Sequence, residues 1–347
     1  MRPRLGKLVG GQQFGLAFVI GLLAVTLALK SGTHVDHQTG HTVNNFLNPS
    51  SLLQIATETS FFAIMAVGAA LVIITGGIDL SVGSISALSG VSSAMLLRAM
   101  NLSGPSALII GLLAATVIAT LCGLLNGIMV VKLGVHPFII TLGTMWIYRG
   151  TAFVMSQANS IPMPQSVTNG IKSTFGLGLG LYPIPLLVMV TATVAGTIYL
   201  NRTIAGRNIF AVGGNAIASE LAGVRLPRVL IGVYCLSGLA AGVSAFLGSG
   251  YYGSVSCADA QGYELYVIAS AVVGGVSLIG GKGSAIGATL GALLIILIRQ
   301  SISYFRWDQN YQWIIIGAAI ICAVVIDRTS SILGMKRLMG SQAPGDT

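Results

Sequence analysis

The side chains able to do chemistry in this sequence are few, and the most telling ones sit inside apolar runs. Asp79 follows two glycines in ITGGIDLSVGS, and Asn126, Thr141 and Tyr148 punctuate GLLNGIMVVKLGVHPFIITLGTMWIYRG. An ionisable group in such surroundings is costly unless it is paired or hydrated, so Asp79 reads either as a helix cap or as part of a passage. Asn126, Thr141 and Tyr148 offer amide and hydroxyl groups that can hydrogen-bond a neighbouring helix or a polyhydroxylated solute. Together these four are the candidates for lining a translocation path. His136, alone beside Pro137, has no partner that would make it a ligand.

Other apparent motifs lack the context their chemistry needs. VSLIGGKGS at 276–284 imitates a phosphate-binding loop but has Val276 for the first glycine and Gly283 after the lysine, and it joins two apolar segments rather than a strand and a helix. His34, His37 and His41 with Asp36 are spaced irregularly in a polar loop, which argues for a connector rather than a metal site. Cys122, Cys235, Cys257 and Cys322 show neither disulfide nor metal spacing. With nine acidic residues in the chain and no Ser/His/Asp grouping, paired carboxylates or HExxH, an enzyme has no reactive constellation to work with. No metal or cofactor is expected.

The elements that must position these residues are membrane helices. Hydrophobic residues make up 54% of the chain and charged residues 8%, with a mean hydropathy of +0.86. Soluble domains carry roughly a quarter charged residues. At roughly 20 residues per crossing, the expectation is an all-α polytopic protein with about ten transmembrane helices, some broken, forming one transmembrane domain over 1–347. The spans read as 14–29, 52–75, 83–100, 106–131, 136–155, 183–200, 229–250, 263–280, 284–299 and 311–327. Arg2, Arg4 and Lys7 before the first span resemble a signal peptide without a cleavage site, so that span is expected to remain.

Threading ten spans puts twelve basic residues on one side and at most six, counting Arg149 near an outer end, on the other. The positive-inside rule then places both termini in the cytoplasm and the 30–51 loop outside. It also explains the net charge of +9 without nucleic acid. GGIDLSVGSISALSG at 76–90 echoes GGVSLIGGKGSAIGA at 274–288, a short glycine-driven match that would make a parallel repeat.

One long polar interruption remains, NRTIAGRNIFAVGGNAIASELAGVRLPR at 201–228, with four arginines against Glu220. Ile217, Leu221 and Val224 recur at helical spacing, Asn215 can cap the start and Pro227 can stop the helix. A membrane protein seldom keeps such a helix unless something docks on it.

Five stretches carry a resemblance to a known family: ITGGIDLSVGS at 74–84, LLNGIMV at 124–130, PFIITLGTMWIYRG at 137–150, GRNIFAVGGNAIASELAGV at 206–224 and VIASAVVGGVSLIGGKGSAIGATLGALL at 267–294. The chain resembles the permease subunits of sugar ATP-binding-cassette importers, the ribose, xylose, arabinose and autoinducer-2 group. That resemblance implies a bacterial inner-membrane permease, a second permease copy (identical or a paralogue), surrounding lipid, a separate cytoplasmic ATPase and a periplasmic sugar-binding protein. It implies alternating access for a monosaccharide, a pentose such as ribose being the expected cargo. It also implies a coupling helix in the cytoplasmic 201–228 loop, with Asn215, Ile217, Glu220, Leu221, Ala222 and Gly223 as the ATPase-coupling residues. The portion ASELAG is a degenerate form of the family's Glu-Ala-Ala loop, which leaves individual contacts open.

Three other classes compete. A gradient-driven secondary sugar transporter without an ATPase usually needs more intramembrane charge than Asp79, Glu58, Asp259 and Glu264 supply. A channel needs rings of charge or carbonyls that no stretch advertises, and a polytopic enzyme needs the missing constellation.

Overall fold

The computed structural model describes residues 3–35, 40–173, 182–319, 321, 322 and 325. The fold is a bundle of helices. Eight described helices are long and apolar enough to cross a membrane: α1 (Pro3–Lys30), α2 (Pro49–Ile74), α3 (Val82–Ala99), α4 (Gly104–Leu133), α5 (Pro137–Ser156), α7 (Pro183–Arg202), α10 (Leu226–Tyr252) and α12 (Ala285–Tyr304). Shorter helices α6 (Gln165–Ile171), α8 (Ile204–Gly214), α9 (Ala216–Leu221) and α11 (Tyr263–Val273) fill the connections. Two small antiparallel ladders pair β1 (Thr33–Val35) with β2 (Thr42–Asn44), and β3 (Ile161–Pro162) with β4 (Ser254–Val255).

Local chemistry sets the ends. Asn48 caps α2 by accepting from the Ser51 amide, with Pro49 in the first turn where no N–H is needed. Ser284 does the same for α12 through Gly287. Helix α2 is the axis of the bundle, buried along nearly its whole length from Ile55 to Ile74 and packed by α7, α10, α11 and α12. Lipid supplies no hydrophobic drive between helices, so close approach depends on small residues. On α4, Gly123 faces the Tyr234 carbonyl and Gly127 lies against Ile231; on α10, Gly238 and Gly242 face the carbonyls of Ala119 and Ala115. A methyl at any of these positions would strike backbone of the opposite helix, so the α4–α10 seam requires glycine.

Eight of the expected spans match long helices. The ninth, over 263–280, does not: α11 stops at Val273, about 16 Å at 1.5 Å per residue, half a crossing. Gly274 and Gly275, the latter at φ +91°, end it, and the apolar residues that follow run as loop against the core, with Val276 buried. Tyr263, its first residue, stacks 4.5 Å from Phe62 midway along α2, so α11 starts at depth within the bundle. Of the tenth expected span, 311–327, helix is seen over residues 311–319 and at 321, 322 and 325, and the rest lies outside the described residues.

In the 30–51 connection, Asn44 and Asn45 tie the β1–β2 hairpin to the end of α1 through Ser31 and Ala28, and Asn45 also bonds His34 of β1. Asp36 and His37 of the expected histidine group lie outside the described residues. Arg149 also departs from expectation. It is 8% exposed on α5 and donates to the carbonyls of Cys257, Asp259 and Ala260 at 2.8, 2.6 and 3.3 Å. A guanidinium holding a loop inside the bundle says nothing about membrane sidedness, and the tally becomes twelve against five.

Candidate functional site

The polar 201–228 stretch folds as two helices rather than one. Thr203 caps α8 by accepting from the Gly206 amide at 3.0 Å, and Asn215 caps α9 by accepting from the Ala218 amide at 2.9 Å, as its side chain suggests. Helix α9 ends at Leu221 rather than at Pro227; Gly223, at φ +87°, reverses the chain, and Pro227 sits in the first turn of α10. Ser219 packs inward and its hydroxyl donates to the Asn215 carbonyl. Ile217 and Leu221 face out, 75% and 85% exposed, with Glu220, Ala222 and Gly223 beside them. A shallow groove runs from Glu220 along Gly223–Arg228, bordered by the exposed Arg225 and Arg228. Two large aliphatic groups on this six-residue helix thus stand bare, with no covering element among the described residues.

Behind that surface, α8 delivers Gly213 into a junction of three backbones. The Gly281 amide donates to the Ile74 carbonyl at 2.8 Å, joining the 274–284 loop to the end of α2. A Cβ at Gly213 would collide with that Ile74 oxygen and come within 2.6 Å of the Gly281 amide; one at Gly280 would lie 2.7 Å from the Gly213 carbonyl and 3.1 Å from the Gly76 amide. Gly76, Gly280 and Gly281 all have positive φ. The two echoing glycine segments thus meet each other at one end of the bundle, with the α8–α9 unit wedged against both.

Deeper along α3 lies a buried polar cluster that gathers all four path candidates. Asp79 accepts from the Ser81 amide at 3.0 Å and the Ser81 hydroxyl at 2.6 Å with one carboxyl oxygen, and from the Ser237 hydroxyl at 2.9 Å with the other. Asn126 donates to Ser81 Oγ at 2.7 Å, Tyr148 donates to Asn126 Oδ1 at 3.2 Å and to the Cys122 carbonyl at 3.0 Å, and Thr141 donates to the Ile78 carbonyl at 3.1 Å. Helices α3, α4, α5 and α10 are pinned to the 75–81 break by this cluster, and every member is satisfied. Ser81 stands at the N-terminus of α3 but makes no side-chain cap there; its amide and hydroxyl both donate to Asp79, which organises the turn before the helix instead of capping it.

Of the remaining acids, Glu58 accepts from Gln54 and Gln300, and Asp259 from the Ser256 amide, while Glu264 Oε2 is buried without a hydrogen-bond partner among the described residues. The phosphate-loop look-alike at 276–284 is spent on the backbone junction. Sequence reasoning missed Ser81, Ser237 and Arg149 as organising residues. Their signal was available: serines recur through the two apolar stretches that become α3 and α10, where nothing but a polar interior explains them.

Apolar helices, one half-helix, a buried polar cluster and an exposed aliphatic face on α9 describe a multi-pass membrane protein. Residues 51–324 match the family described as "Branched-chain amino acid transport system / permease component", and the chain belongs to that family. Among characterised relatives, the D-allose transport system permease protein of Escherichia coli K12 is 32% identical over 286 residues, 82% of this chain and 86% of the relative. The ribose import permease protein of the same strain is 34% identical over 82% of this chain and 87% of the relative. The fructose import permease protein of Rhizobium meliloti is 33% identical over 82% and 79%. No solved structure matches the chain.

Proposed function

We propose that this chain is the membrane-spanning permease subunit of an ATP-driven importer of a monosaccharide in the bacterial inner membrane, with a pentose such as ribose as the expected cargo. The observation that carries the coupling role is α9: capped by Asn215, it presents Ile217 and Leu221 to solvent while its neighbour α8 abuts both glycine breaks. A cytoplasmic ATPase docked on Ile217, Glu220, Leu221, Ala222 and Gly223 would push on α8, and at Gly213 no side chain stands between α8 and the end of α2. Twelve basic residues support a cytoplasmic location for this loop and for both termini. A periplasmic binding protein delivers the sugar to the opposite face, and a second permease copy completes the pathway. Asp79, Asn126, Thr141 and Tyr148 hold the 75–81 break in the closed arrangement, and their hydroxyl, amide and carboxyl groups are positioned to meet a sugar when that break opens.

The test is uptake of radiolabelled D-ribose, D-allose, D-fructose and D-galactose into proteoliposomes holding the permease, its ATPase and the binding protein. Uptake of at least one sugar that requires ATP and all three components is expected, and uptake without the ATPase refutes the proposal. Glu220→Lys and Gly223→Asp should cut ATPase association and uptake while leaving the permease folded in the membrane, because each puts charge or bulk on the docking surface.

A further inference from the structure

A cavity of about 170 Å³ lies away from the coupling helix, between α2, α3, α10 and the 254–263 segment. That is room for about six waters at roughly 30 Å³ each, the scale of one small polyol rather than of a peptide or a nucleotide. Its lining is unusual for the interior of an apolar bundle. Ser86 on α3 is 8% exposed, and its hydroxyl, which makes no hydrogen bond among the described residues, borders the space. Ser254 on β4 also borders the space with an uncommitted hydroxyl. Asp259 spends one carboxyl oxygen on the Ser256 amide at 2.8 Å and leaves the other free at the exposed rim. Phe61 and Tyr252 supply aromatic surface, with ring centroids 6.2 Å apart.

This donor set selects its ligand class. Hydroxyls that both donate and accept, one free carboxyl oxygen and an aromatic wall fit a neutral polyhydroxylated ring, whose O–H groups need mixed partners and whose C–H face needs an apolar one. The lining contains no lysine or arginine, which disfavours a phosphate or a carboxylate. We propose that this cavity is a monosaccharide subsite contained within a single permease chain, with Ser86 and Asp259 as its polar contacts. As a stop on an import route it rests on the transport reading above, but binding to the cavity is measurable without it.

The experiment is saturation-transfer-difference NMR on the purified permease in nanodiscs, with millimolar D-ribose, D-allose or D-galactose as the probe and cellobiose as an oversized control. Saturation of at least one monosaccharide and not of cellobiose is expected. Ser86→Phe, which fills the space, should abolish it. Ser86→Ala, which removes the hydroxyl without adding volume, should weaken binding by about 2- to 10-fold, the worth of one hydrogen bond. Thermal melting identifies any variant that has lost its fold, and Ser86→Ala decides if Ser86→Phe has. No monosaccharide signal from wild type, or an unchanged signal in the folded Ser86 variants, overturns the subsite. In the complete transporter, Ser86→Phe should assemble with the ATPase yet lose uptake. Wild-type uptake that persists in Ser86→Phe counts against the subsite alone, whereas a wild-type complex that fails to move any of these sugars counts against the transport reading, leaving the NMR result to decide the cavity.

Discussion

At the scale of single residues, the carboxyl of Asp79 is the most consequential group because three donors converge on it from two elements. Asp79→Leu leaves the Ser81 amide and two hydroxyls without an acceptor in an apolar interior, a loss of about 3 kcal/mol, read as a lower melting temperature of the detergent-solubilised permease. Ser237→Ala removes a single bond, and about 0.6 kcal/mol is expected, as for other interhelical hydrogen bonds in membranes. The prominence of Asp79, Asn126, Thr141 and Tyr148 was legible in the sequence, since polar groups in apolar runs must find partners. That they find each other was not, because the 75–81 break, α4 and α5, whose four residues lie up to 69 positions apart, meet only in three dimensions. Arg149 shows the limit most plainly: its position near the end of an apolar run suits a surface anchor as well as a buried clamp on 257–260, and only the dipping loop decides between them.

At the scale of elements, glycine decides where helices stop and how closely they pass. Gly213 and Gly214 are neighbours on α8, yet a methyl at Gly213 collides with the Ile74 carbonyl while one at Gly214 meets nothing within 4 Å. Gly213→Ala should therefore uncouple ATP hydrolysis from sugar uptake, seen as a fall of several-fold in sugar moved per ATP hydrolysed, and Gly214→Ala should match wild type. The same reasoning makes Gly123→Leu destructive at the α4–α10 seam, with loss of folded protein in size-exclusion chromatography. Helical periodicity revealed α9 and its Asn215 cap but merged α8 into a polar loop and carried α9 on to Pro227. Proline is as much a first-turn residue as a stop, and here Gly223 had already turned the chain.

At the scale of the whole molecule, hydropathy recovered eight long helices because a bilayer imposes both their length and their composition. It overran at α11, where an apolar run was read as spanning helix although the residues after Val273 continue as loop, with Val276 packed into the core. Sidedness can be checked directly. With Cys322 replaced by alanine, a cysteine at 217 should react with a membrane-impermeant maleimide only from the cytoplasmic face, and one at 47 only from the opposite face. The three-backbone junction has a further consequence for engineering. Its contacts are made by peptide groups and bare α-carbons, so their geometry is indifferent to the side chains that flank them. Segment 203–224 is therefore a portable adaptor: transplanted from a relative that keeps glycine at the counterpart of 213 and matching aliphatic residues at the counterparts of the buried Ile209 and Val212, it should retarget this permease to the donor's ATPase without any redesign of the membrane helices.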